Sequence, residues 1–125
     1  MAAFTNVTLV PDTSDLIPYL GAGIDAAYTV AMQDDVGMDA EAFLCCLFRY
    51  DVVTNFASLT TNGKRILGEY VCRAMALAGI AYNMNASFTS RIEAENMMNV
   101  HIWRLMQIEN ILSNSKVWKY LGIPV

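Results

Sequence analysis

The chain has 125 residues, 55% of them hydrophobic and only 16% charged, with a net charge of −4 at pH 7. That length suits one domain with a core of its own. So small a charged fraction, against about 25% in an ordinary soluble domain, points to surface buried in an assembly. A membrane span is not expected: it needs roughly 20 nearly uncharged apolar residues, and the longest apolar run, Tyr70 to Tyr82, is shorter and contains Arg73.

Residues 1–13 read as an extended arm. The run from Phe4 to Val10 is β-branched and polar and stops at Pro11. Such an arm packs on its own domain or adds to a neighbour's sheet edge. No basic region followed by an apolar run stands after Met1, so no secretory signal is expected. The sequons at Asn6 and Asn85 are then chance matches. A first helix is predicted from Ser14 or Asp15, with Pro18 tolerated near its start. Ile17, Leu20, Ile24, Ala27, Tyr28 and Ala31 repeat at helical spacing. Gly21, Ala22 and Gly23 make this helix slim, and close approach of another backbone should recover the roughly 1 kcal/mol that each glycine costs. The helix is expected to end at Asp34-Asp35-Val36-Gly37. Acids there oppose the macrodipole, so that end should be solvated or face basic groups.

Asp39 is expected to cap a second helix, with Glu41 in its first turn and an apolar face of Phe43, Leu44, Leu47, Phe48 and Tyr50 to about Phe56. A polar turn from Ser58 to Gly63 leads to a third helix, from about Asn62 to Met84. There Gly68, Cys72, Ala76 and Gly79 form a slim stripe for close packing. Ser90-Arg-Ile-Glu93 is a capping box that opens a fourth helix to Leu112. The apolar residues of that helix, Trp103 and Met106 among them, wrap far beyond the stripe of about 100° that one-sided packing needs. Either the helix is central or its second face meets another molecule. Val117, Trp118, Tyr120 and Leu121 form a short aromatic segment before Gly122 and Pro124. The predicted fold is all-α: a small four-helix bundle in a single domain, with an arm (1–13), a helical core (14–112) and a C-terminal segment (113–125).

Sites for chemistry are sparse. Cys45, Cys46 and Cys72 have no zinc or redox spacing and read as reduced core thiols of a reducing cytosol. Gly21-Ala-Gly-Ile-Asp-Ala26 is a degenerate dinucleotide fingerprint, but it lacks the preceding strand that cofactor binding needs. His101 has no carboxylate at metal-binding spacing. The acids at Asp34-Asp35, and at Glu93 and Glu95, read as solvated helix termini. Basic residues are dispersed and the calculated pI is 4.7, so direct nucleic-acid binding is not expected. No catalytic, cofactor or metal residue is assigned, and the chain is read as not an enzyme.

Charge is distributed unevenly. The first 59 residues hold eight acids against Arg49, a net −7, and the remainder holds seven basic residues against four acids, a net +3. Oppositely charged halves can attract copies head to tail. The candidate interface residues are Arg91, Arg104, Trp103, Trp118, Asp34 and Asp35, and reversing Arg91 and Arg104 to Glu is expected to weaken association.

The run Asp15-Leu-Ile-Pro-Tyr-Leu-Gly-Ala-Gly-Ile-Asp-Ala-Ala-Tyr28 and the later Leu67-Gly-Glu-Tyr-Val-Cys-Arg-Ala-Met-Ala76 resemble, in outline over residues 14–112, the small helical head-to-tail adaptor (connector) proteins of tailed bacteriophages. No diagnostic motif carries the resemblance, and the C-terminal segment departs from the β-hairpin or longer tail of that family. The resemblance implies a homo-oligomeric ring between portal and tail, incorporated in a virion. The alternative reading is a small acidic regulator, of the immunity type, that blocks a protein partner.

Overall fold

The structure is a computed structural model that describes residues 4, 6–10, 15–20, 27–82 and 91–124, with the side chains of Ile17, Leu20 and Arg91 excepted. Gly21, Gly23, Met84, Asn85 and Ser90, which carry several of the expectations above, lie outside the described residues. All regular structure among the described residues is helical: α1 (Ile17–Leu20), α2 (Val30–Phe48), a short 3-10 turn (Phe56–Ser58), α3 (Thr61–Tyr82), α4 (Arg91–Leu112) and α5 (Ser115–Trp118). The all-α class is as the sequence implies.

α3 is the central element, packing against α1, α2 and α4. Leu67, Val71, Met75 and Ile80 recur at helical spacing and are fully buried. Burial of each such side chain is worth about 1.5–3 kcal/mol. Two cross-links set the direction of α2 against α3: Phe43 stacks on Tyr70 with centroids 5.8 Å apart, and Tyr28 Oη donates to the Met75 carbonyl at 2.8 Å. Arg104 meets Glu69, and His101 meets Arg73. Both α2 and α4 therefore run antiparallel to α3.

Two helix boundaries differ from expectation. Asp34-Asp35-Val36-Gly37 ends nothing: α2 starts after the cap Thr29, whose hydroxyl accepts from Met32 N, and continues to Phe48. Asp34, Gly37 and Glu41 fall at i, i+3 and i+7, which is one face of a helix. That face carries the N-terminal segment, so acids and glycine that look like a terminus are instead a docking surface. The helix also ends earlier than the apolar pattern suggests. Arg49 takes a left-handed conformation, φ 52°. Asp51 then folds the chain into a turn, its Oδ1 accepting from Val53 N at 3.1 Å and Thr54 N at 2.9 Å. A carboxylate that satisfies nearby backbone donors competes directly with helix continuation.

The C-terminal segment closes the bundle beside the start of α3. Trp118 Nε1 donates to the Leu112 carbonyl at 2.7 Å, and its ring meets Phe48 edge-on at 5.3 Å. Thr60 N donates to the Leu121 carbonyl at 3.0 Å, and Thr60 Oγ1 to that of Tyr120 at 2.6 Å. Gly63 is required here, because a Cβ would collide with the Leu121 backbone.

Candidate functional site

Three surfaces can carry function. The first is the docked N-terminal segment. Asn6 N and Val7 N donate to Asp34 Oδ1 at 3.1 and 3.2 Å, and Asn6 Nδ2 donates to Oδ2 at 2.8 Å. Thr8 N and Leu9 N both donate to Glu41 Oε2 at 2.8 Å. Four successive backbone donors are thus held by two carboxylates one above the other on α2. Phe4, Val7, Leu9 and Val10 are buried beneath them. Gly37 lies between the acids, where a Cβ would stand 2.5 Å from Val7 Cγ2. Burial pushes the Glu41 carboxyl above its usual range, against the pull of its two backbone bonds.

The second is a polar seam where α1, α3 and α4 meet. Glu69 Oε2 accepts from Arg73 Nε at 2.7 Å and from Arg104 Nε at 2.8 Å, while Oε1 accepts from Arg104 Nη2 at 3.0 Å. Arg104 thereby grips Glu69 with a two-pronged fork. The Arg104 bonds, foremost, hold the Glu69 carboxyl below its usual range. His101 Nε2 lies 2.9 Å from the Tyr19 carbonyl, and its Nδ1 lies 3.2 Å from Arg73 Nη1. A carbonyl only accepts and a guanidinium only donates. The ring is therefore the neutral tautomer with its proton on Nε2. Burial, helped by the Arg73 charge, holds the His101 pKa below its ordinary value. The seam is saturated by its own members. It orients α1 and α4 on α3.

The third is the outer face of α4. Ile92, Val100, Trp103 and Met106 are exposed, Trp103 by 65% of its surface. The residues interleaved with them are mainly the amides Asn96, Asn99, Gln107 and Asn110, with Glu93 and Glu109 at the edges of the face. An open groove of about 570 Å³ runs beside Trp103, floored by Met106 and Asn110.

The candidate residues divide among these surfaces. Trp103 is exposed on the α4 face and Asp35 is exposed on α2. Asp34 is buried and committed to the N-terminal segment. It is neither a solvated terminus nor the partner of a basic group. Arg104 is spent on Glu69, so reversing it to Glu would set two acids together and disturb the fold itself. Trp118 packs inward on Phe48. The Arg91 side chain lies outside the described residues. Cys72 alone is a core thiol, pushed up to about 12 by burial. Cys45 is half-buried and Cys46 exposed, so these two are not the core hydrophobes that their sequence setting suggests. Among the described residues no group of three His, Cys, Asp or Glu is placed to hold a metal ion, and no helix is long and apolar enough to cross a membrane.

Folding also rearranges the charge. Arg49, Lys64, Arg65, Lys116 and Lys119 lie toward the end of the bundle where α2 finishes, α3 begins and α5 packs, where they outnumber the acids Asp51 and Glu109. Exposed Asp35 on α2, and Glu93 and Glu95 at the start of α4, lie toward the other end. No family model, curated protein or solved structure matches the chain.

Proposed function

We propose that this chain is a non-enzymatic structural or adaptor subunit that assembles with copies of itself, as a bundle carrying a docked N-terminal arm. The observation that carries the reading is the outer face of α4: large apolar side chains exposed along a 22-residue helix, interleaved chiefly with amides. Such a face gains free energy by being covered, and Trp and Met are enriched in the cores of interfaces. The opposite charge of the two ends favours a head-to-tail arrangement, setting encounter and register while apolar burial supplies affinity. A closed head-to-tail arrangement is a ring. A ring joining two parts of a phage virion, as the outline resemblance implies, is the finer form of this proposal. Three free thiols accord with synthesis in a reducing compartment.

Sedimentation of the wild type and of Trp103→Ala tests it. The expected result is a wild-type oligomer that the substitution weakens at least tenfold, with the helical signal retained. A wild type that remains monomeric alone and in its native complex overturns it. The acidic-regulator reading has one observation of its own: Met38 and Phe43 are exposed on α2 near Asp35 and Asp39. It gains ground if a monomer forms a one-to-one complex with a basic protein.

A further inference from the structure

The N-terminal segment is held in an unusual way. Among the described residues it joins no sheet, and the donors of Asn6, Val7, Thr8 and Leu9 are taken by side-chain carboxylates of α2. Recognition through backbone donors depends on the shape of the segment, with Gly37 clearing a notch for Val7. Every copy of the chain carries the same segment and the same receptor. Residues 6–9 and their acceptors are 27 to 33 positions apart in sequence, joined through Pro11, and nothing in the recognition itself demands that both belong to one chain.

We propose that the Asp34–Gly37–Glu41 face of α2 is a receptor for the N-terminal segment of a second copy, and that neighbouring subunits exchange these segments when they assemble. Exchange of an identical element creates no new contact chemistry and so is a low-cost route to linked subunits. In dilute monomer the chain's own segment wins, because its effective concentration is high. Beside a neighbour the two segments compete on similar terms. The occupant is identified by the structure itself, since residues 6–9 are what the receptor holds. The proposal rests on the self-assembly reading.

Full-length chains test it by disulfide trapping, with the accessible Cys45 and Cys46 changed to Ser. One chain carries Thr8→Cys and a differently tagged second chain carries Met38→Cys, one helical turn from both Asp34 and Glu41. The two are co-expressed and then oxidised. Exchange predicts a covalent dimer of the two tags, several-fold more abundant than when Met38→Cys is replaced by Ala57→Cys, far from the receptor. Adding Glu41→Ala to the receptor chain should reduce the dimer at least threefold. The doubly substituted chain, Thr8→Cys with Met38→Cys, reports whether the pair can close at all. If it closes only within one chain while sedimentation shows an oligomer, exchange is wrong and self-assembly stands. If sedimentation shows only monomer, self-assembly fails and exchange fails with it.

Discussion

Glu41 and Gly37 illustrate how single positions serve the docked segment. Truncating Glu41 to Ala strands two backbone donors, the part-buried Thr8 N and the buried Leu9 N, and should cost about 1–3 kcal/mol. Glu41→Gln keeps an acceptor and removes the charge. Because burial raises the Glu41 carboxyl from its ordinary value of 4.5, the fold favours the neutral acid. That contribution is full below the unfolded pKa and is lost as pH rises through the higher folded value. Urea midpoints between pH 4 and 8 should therefore carry a component that declines with pH in the wild type and is absent in Glu41→Gln. At pH 7 the Gln variant should be at least as stable as the wild type. Gly37→Ala would gain the helix propensity of about 1 kcal/mol, but its Cβ meets Val7 at 2.5 Å and Met75 Sδ at 3.1 Å. Overpacking of this kind costs about 1–3 kcal/mol, so a net loss is expected at pH 7, and Val7→Ala in the same chain should recover part of it.

At the scale of elements, the seam fixes α4 on α3 through one acid and two arginines. Glu69→Ala removes the carboxylate shared by Arg73 and Arg104 and should lower stability by about 1–2 kcal/mol, a figure discounted for their partial exposure. The Glu69 carboxyl is depressed, so its contribution is present above the unfolded pKa and is lost as pH falls through the folded one. His101 acts in the same direction at higher pH: its folded pKa lies below 6.5, and protonation would set Nδ1–H against Arg73. Thermal midpoints should fall as pH drops below about 6.5, and His101→Gln should flatten that limb. Much of α3 and α4 is legible in the sequence, because long apolar periodicity dominates local signals over 22 residues. The boundary between the first two predicted helices was not. Asp34 and Gly37 carry the residue chemistry of a helix end, and only their contact with residues 6–9 gives them another role. Contacts across 27 positions have no local signature. The same holds for Trp118 and Arg104, whose types suit an interface but whose partners, Phe48 and Glu69, lie within the chain.

For the whole molecule, the excess of apolar surface anticipated from composition is concentrated on α4. Trp103→Ala combined with Met106→Ala should leave the unfolding midpoint within about 0.5 kcal/mol of wild type, since both side chains are largely exposed. The same pair should abolish association in sedimentation runs. Lys116→Glu with Lys119→Glu, at the basic end, should instead slow association and reduce its dependence on salt. Light-scattering rates at 50 and 300 mM salt distinguish the two effects.

The bonds between Thr60 and the carbonyls of Tyr120 and Leu121 have a consequence for how the chain is made. The segment docked on α2 can find its receptor once 48 residues have left the ribosome. The first turn of α3 must wait for residues some 60 positions further along the chain before its partners exist. The helix at the centre of the fold is thus made well before the partners of its own first turn. A nascent chain stalled before Tyr120 would hold the segment docked on α2 beside an unfinished core.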